Sequence, residues 1–266
     1  MCTLHKKNRI VSFDLDMTLL NHANWEIPSS AMQAIERLRK DSIIVIASGR
    51  DMNSTYSIPY RNQVRPDAII HLNGTRIEVE DKKVIFEHFM DKEKMRRLLE
   101  FAQEHTLSVG VSIEGEDFYT HPHFVEEHDK KLWGMSKRNF KEPFELLHLP
   151  VRTLTYIGGP EGDALLCEHF PEFKFPMFEG KTGADIMERE ASKANGLKCL
   201  CEYYGIDPKN TVAFGDSMND YEILQVAGIG VAMGNAIEEL KPAADYITTH
   251  IAQDGIWNAC KALKLF

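Results

Sequence analysis

No apolar stretch of this 266-residue chain approaches the ~20 residues that a membrane-spanning helix needs. That excludes a helical membrane protein. Lys6, Lys7 and Arg9 precede an apolar run, but Asp14 and Asp16 cut it short, so the N-terminus fails as a secretory signal. Basic charge is also scarce. The 31 Lys and Arg face 40 Asp and Glu, a formal net charge of −9. A general nucleic-acid binder would show a basic surface instead. An anionic substrate stays possible only if a cation or a local basic pocket receives it. Cysteine is sparse and odd in number, five in all. Without an export signal, five thiols do not make a disulfide framework. Cys199 and Cys201 resemble a metal pair, but residues two apart on a helix point to nearly opposite sides, so core packing is expected of them. No repeat or low-complexity tract is present. What remains is a cytoplasmic globular protein with neither membrane nor nucleic-acid partner, long enough for one large domain or two smaller ones.

Within those bounds, the string Asp14-Leu15-Asp16-Met17-Thr18 stands out, because it follows the β-rich run Ile10-Val11-Ser12-Phe13 directly. In open α/β sheets the carboxyl ends of strands are where ligands bind. Two close acids repel each other and call for compensation, most simply by a divalent cation. Taken alone, the string also describes an acidic turn with Thr18 capping the next segment.

The N-terminal third reads strand, helix, strand. Ser29 or Ser30 can cap a helix whose apolar face runs Ala31, Ile35, Leu38. The run Ile43-Ile44-Val45-Ile46-Ala47 is apolar on both faces, as a buried parallel strand is, and stops at Ser48-Gly49-Arg50. A third strand, Ala68-Ile69-Ile70-His71-Leu72, ends at Asn73-Gly74, and 75–89 alternates as a hairpin turning at Asp81-Lys82-Lys83. The C-terminal third repeats the logic. Ser192 can cap a helix over 193–204 that Gly205 stops. Thr211-Val212-Ala213-Phe214 is a strand ending at Gly215-Asp216, and 221–227 is a helix. Strands over 229–233 and 244–248 precede a final helix over 256–263. Alternating strands and helices imply right-handed βαβ units and a parallel sheet. The middle differs, with a charged helix over 91–105, strand-like stretches over 107–113 and 152–157, and no strand ending in acids or Ser-Gly. It reads as an inserted second domain.

If a helix begins near Ser217, Asp216 and Asp220 lie about one turn apart on one side. A sheet built from both ends of the chain could bring them to Asp14 as a set of hard oxygen ligands. A capped helix start, where acids are favoured anyway, explains the same run. Lys193 in a first helical turn is at the wrong end for the dipole, unless it shares a bound anion with that terminus.

Asp-x-Asp-x-Thr, strand-Ser-Gly-Arg, Lys and Gly-Asp-x-x-Asn-Asp, in this order, resemble the haloacid dehalogenase superfamily of phosphohydrolases. Asn73-Gly74, Ser192-Lys193, Ala232-Met233-Gly234-Asn235-Ala236 and Asp254-Gly255-Ile256 extend the resemblance to its Cof-like branch. That branch inserts an α/β cap of class IIB between the second and third motifs, and the gap from Ser48 to Lys193 has room for it. The resemblance implies an α/β fold: a Rossmann-like parallel-sheet core over 1–83 and 187–266, with an inserted α/β cap over 84–186. Met17 departs from the usual Gly, which implies a small backbone adjustment rather than inactivity. Ser48, where many relatives have Thr, keeps the hydroxyl.

By position, the resemblance makes Asp14 the nucleophile that forms an aspartyl-phosphate and Asp16 the general acid and base. The carboxylates of Asp14 and Asp216 and the main-chain carbonyl of Asp16 would hold Mg²⁺, with Asp220 supporting the ion directly or through water. Leu15, Ser48, Gly49, Lys193 and Asn219 would bind the phosphoryl group, and Arg50 is equally suited to pairing with a surface acid. The implied activity is Mg²⁺-dependent hydrolysis of small phosphorylated metabolites, sugar phosphates or phosphorylated cofactors, by a monomer or small homo-oligomer. A phosphomutase and a non-catalytic phosphometabolite sensor are the alternatives. In the cap, His121, His123, Glu126, Glu127, His128 and Asp129 are metal-competent side chains at an unusual spacing. A solvated loop or ordinary cap structure is expected there, with Phe118, Tyr119, Phe124 and Trp133 as cap core.

Overall fold

The computed structural model describes residues 7–178 and 180–266, apart from the side chain of Asp81; Lys6, counted above in the charged N-terminus, lies outside them. The chain divides into two compact units, 1–87 with 191–266 and 88–190.

The first unit begins with β1 (Arg9–Phe13), α1 (Ser29–Leu38), β2 (Ser42–Ala47), α2 (Ile58–Val64), β3 (Ala68–His71), β4 (Arg76–Val79) and β5 (Lys83–Glu87). The second holds α3 (Lys92–Glu104), β6 (Ser108–Ile113), β7 (Glu116–Tyr119), α4 (His123–Trp133), β8 (Phe140–Lys141), β9 (Leu154–Ile157), α5 (Pro160–His169), β10 (Phe173–Lys174) and β11 (Gly183–Glu188). The chain then returns to the first unit with α6 (Lys193–Tyr204), β12 (Thr211–Gly215), α7 (Tyr221–Val226), β13 (Ile229–Ala232), β14 (Tyr246–Ile247) and α8 (Gly255–Ala262).

The first sheet runs in the order β14-β13-β12-β1-β2-β3-β4-β5. From β14 to β3 all pairings are parallel, and β4 and β5 add an antiparallel hairpin. Its strands are apolar on both faces because both faces are covered. Val11, Phe13, Ile44, Ile46, Val212 and Phe214 pack with α1 and α8 on one side. Ile10, Ile43, Val45, Ile70 and Ala213 pack with α6 and α7 on the other. Cys201 is buried in that second layer with Leu197, and Cys199 packs at its margin, as expected of core thiols. Strand order reverses between β1 and β12, so the crevice beyond their carboxyl ends is the sheet's switch point.

The second unit is a sheet of order β10-β11-β9-β6-β7-β8, antiparallel except for β7 with β8. Leu98, Leu99, Val109, Leu154, Leu166 and Ile186 form its own core. The units divide a few residues after the expected 83/84 and 186/187 boundaries. The reason is strand pairing: β5 stays paired to β4 as far as Glu87, and β11 runs on to Glu188.

Two local expectations need correction, the serine caps and Trp133. Ser29 and Ser30 do not cap α1. The helix starts directly after Pro28, which places both serines inside the first turn, and the Ser30 hydroxyl is left without a partner. Of the two readings of 121–129, ordinary cap structure is the one found rather than a solvated loop, because α4 begins at His123 right after Pro122. Trp133 is not cap core but 64% exposed, whereas Phe118 and Tyr119 are buried. No helix of the described residues is long and apolar enough to cross a membrane.

Candidate active site

β1 and β12 run in register, Phe13 beside Phe214, so the residues that follow each strand emerge together at the switch point. These are Asp14 and Asp216. The Asp14 amide donates to the Phe214 carbonyl at 3.0 Å, extending the pairing by one step.

Lys193 comes from α6, whose start is fixed by sequence chemistry: the Ser192 hydroxyl accepts from the Asn195 amide at 3.1 Å. Gly196 lets this helix lie on β3, since a Cβ there would meet Ile70 at 2.7 Å. The Lys193 ammonium is fully buried, and donates to Asp14 Oδ1 and Asp220 Oδ1, each at 2.6 Å. Asp220 Oδ2 in turn accepts from the amides of Asp216 (3.0 Å) and Ser217 (3.3 Å). Thr18, also fully buried, donates its hydroxyl to Asp216 Oδ1 at 2.9 Å.

Carboxylate oxygens of Asp14, Asp216 and Asp220 thus lie within 4.8 Å of one another. One lysine faces three acids, which leaves uncompensated negative charge in a buried place. Burial pushes Asp14 up to about 7 from its ordinary 3.8; the Lys193 charge opposes this, and Asp220 and Asp16 add to it. Asp216 is held well above the usual carboxylate range, by burial first and then by the charges of Asp14 and Asp220. Burial alone would lower Lys193, but Asp14 and Asp220 outweigh it and keep the ammonium above its ordinary value. An all-oxygen donor set with excess negative charge fits a hard divalent cation.

Asp16 turns elsewhere. Arg50 grips it with both Nε (2.8 Å to Oδ2) and Nη2 (2.5 Å to Oδ1), and His22 Nε2 lies 2.6 Å from Oδ1. Burial would raise this carboxyl, yet the bonds from His22 and Arg50 prevail and hold it below its ordinary value. Ser48 is buried, its hydroxyl accepting from the Arg50 amide at 3.0 Å and its carbonyl from the Asn73 amide at 3.0 Å. Gly49 lies half-buried between them. Asn219 donates to Asn73 Oδ1 at 3.0 Å and accepts from the Ser217 hydroxyl at 2.7 Å. Leu15 buries its side chain in the core and its carbonyl accepts from the amides of Leu19 (2.9 Å) and Leu20 (2.7 Å), so its own amide is the group that can face the crevice. Met17 takes φ 58, the left-handed conformation that suits the glycine usual there, and its carbonyl accepts from the Asn235 side-chain Nδ2 at 2.7 Å.

The turn after β3 is left-handed at Leu72, Asn73 and Gly74 (φ 47, 53 and 97). A Cβ on Gly74 would collide with the Ser192 carbonyl, immediately before Lys193. Gly74→Ala is therefore expected to lose about 2 kcal/mol or more of stability and to shift Lys193. Thermal unfolding checks the first, and a variant as stable as wild type would contradict it.

The sequence reading missed His22 and the Asp16 clamp; nothing marks a histidine six residues on as its partner. The polar cluster of the second unit does not assemble. Asp129 is buried against Arg138 (Nε to Oδ2, 2.8 Å), and His121 Nε2 lies 3.0 Å from the Gln103 carbonyl. Among the described residues the other metal-competent group is His88, Glu188 and Glu190. There Lys94 already pairs with Glu188, at 2.6 Å.

The family model of the haloacid dehalogenase-like hydrolases matches residues 11–260. YkrA of Bacillus subtilis (strain 168) is 31% identical over 266 residues, 97% of this chain and 98% of that one. BT1666 of Bacteroides thetaiotaomicron, analysed among the phosphatases of that superfamily, superposes with a TM-score of 0.89 at 25% identity, over 97% of this chain and 96% of its own. BT4131, a subclass IIB sugar phosphatase, gives 0.84 at 27% identity, over 97% of this chain and 100% of its own.

Proposed function

The chain belongs to the haloacid dehalogenase-like hydrolases, and from that premise we propose a Mg²⁺-dependent phosphatase of small phosphorylated metabolites, sugar phosphates or phosphorylated cofactors, that works through a phosphorylated Asp14. The observation that carries the reading is the buried Asp14 carboxylate at the switch point, held at one oxygen by Lys193 and flanked by Asp216 and Asp220. Because Oδ1 accepts from Lys193, Oδ2 is the oxygen left to attack phosphorus in line.

Lys193, the Ser48 hydroxyl, the amides of Leu15 and Gly49 and the Asn219 side chain would gather the phosphoryl oxygens. Donors in such roles are typically worth ~3 kcal/mol each. Asp16 would protonate the leaving alkoxide, then take the proton of the water that hydrolyses the aspartyl-phosphate. Arg50 and His22 occupy both of its oxygens and keep it ionised, so the clamp has to release Asp16, and Asp16 has to take up a proton, before it can serve as the acid. Asp14, Asp216 and the Asp16 main-chain carbonyl would hold Mg²⁺, with Asp220 in support, directly or through water. The ion would screen the repulsion between the Asp14 carboxylate and the incoming phosphate.

Thr18 orients Asp216 from the protein side. Thr18→Val is expected to raise the Mg²⁺ concentration for half-maximal activity by about 10–100-fold; an unchanged Mg²⁺ requirement would remove Asp216 from the metal site. The function itself is tested by phosphate release from a panel of phosphorylated metabolites, with Mg²⁺ and with chelator. Release that depends on Mg²⁺ supports the reading. A folded protein that releases no phosphate from any of them counts against it.

A further inference from the structure

The mechanism leaves unused an exposed tryptophan beside the site. Residues 21–26 form a tight loop, closed by the Asn21 amide on the Glu26 carbonyl (3.0 Å) and the Trp25 amide on the Asn21 carbonyl (2.8 Å). Trp25 takes φ 58 in that loop. For a bulky side chain this is a true outlier, a conformation that persists only where its surroundings impose it. The strained backbone does not bury the indole. Trp25 is 56% exposed, at the cost of hydrophobic burial. One face of the indole lies flat on His22, with centroids 4.5 Å apart and planes at 21°. His22 in turn sits 2.6 Å from Asp16. An exposed aromatic plane is thus fixed one ring away from the carboxylate assigned to the leaving group.

We propose that Trp25 is a specificity-determining residue of this site, a stacking surface for a ring in the leaving group of the phosphoester. The inference rests on the phosphatase reading above, and deepens it by naming the substrate class: phosphoesters whose alcohol carries a ring with an apolar or aromatic face, rather than acyclic ones. A planar heteroaromatic ring and a sugar ring share that chemistry. Each can lie on the open face of an indole already held parallel to its support. The imidazole beneath Trp25 keeps the indole from folding down, so the plane is preorganised.

The test compares p-nitrophenyl phosphate (aromatic ring), glucose 6-phosphate (sugar ring) and glycerol 3-phosphate (no ring), using wild type, Trp25→Ala and Trp25→Phe. In Trp25→Ala, kcat/KM for at least one ring-bearing probe should fall about tenfold relative to glycerol 3-phosphate. Trp25→Phe, which keeps an aromatic plane, should recover most of that ratio. Which ring-bearing probe responds identifies the ring. The same variants in an Asp14→Asn background give the dissociation constants by titration calorimetry, without turnover. They should weaken the ring-bearing probes selectively. A ratio unchanged in Trp25→Ala, in turnover and in binding alike, overturns the proposal. So does a loss that Trp25→Phe does not recover. If wild type turns over none of the probes, that result bears on the phosphatase reading alone, and the binding arm decides the role of Trp25.

Discussion

Asp14→Asn is expected to lower phosphoester turnover by on the order of 10⁴-fold or more, because an amide cannot form the phosphoryl–enzyme bond. The same variant should be more stable than wild type in metal-free buffer at neutral pH and above. The sign follows from proton binding. Asp14 keeps its proton up to about pH 7 in the folded chain, against an ordinary value of 3.8. Between those values the native state binds more protons than the unfolded one. The stability tied to this group is therefore complete below about 3.8 and is lost as the pH rises through about 7. Asn carries no charge and escapes that loss, roughly 4 kcal/mol by linkage. Thermal unfolding with chelator should place Asp14→Asn above wild type at pH 8, with the gap closing toward pH 4. Equal melting temperatures across that range would contradict the assignment of Asp14 as a destabilised, buried acid. Such a penalty is what a site built for charge transfer carries at the expense of stability.

Lys193→Met is expected to act in the opposite sense. It removes the buried ammonium between Asp14 and Asp220, both within 2.6 Å of it. Breaking a buried pair from one side typically costs about 3–5 kcal/mol, because the remaining charges are stranded. Turnover should fall by about 10²–10³-fold, the usual cost of losing an electrostatic contact to a developing charge. The stability loss should shrink on acidification, as the stranded acids take up protons instead of remaining charged. Chemical unfolding at pH 7.5 and pH 5 would read this. A Lys193→Met chain as stable as wild type at pH 7.5 would mean that the acids do not depend on the lysine.

What could be read in the sequence followed the range of the forces involved. α6 was legible to the residue, from the Ser192 cap to the left-handed Gly205, because capping and glycine stops are local chemistry. β1, β2 and β12 were legible because strands covered on both faces are apolar throughout. Asp14, Asp216, Asp220 and Lys193 could be named from motif order, and the sheet topology brings the four together. The Asp16 clamp was not legible, since Arg50 lies on the next strand's end and only register decides what it meets. Nor was the start of α4, where the sequence left loop and ordinary cap structure both open, and Pro122 stands as the residue before the helix, a position Pro tolerates. The serines that open α1 failed as caps for a related reason. Either could cap in isolation, but Pro28 already sets the entry angle.

The central claim is that Asp14 carries the phosphoryl group during turnover. Rapid quenching during steady-state hydrolysis, with borohydride reduction of any acyl phosphate and peptide mass analysis, tests it directly. The account predicts a reduced adduct on the peptide containing Asp14 when Mg²⁺ and substrate are present, and none in Asp14→Asn. Full turnover with no adduct on that peptide, or an adduct on another residue, would contradict it.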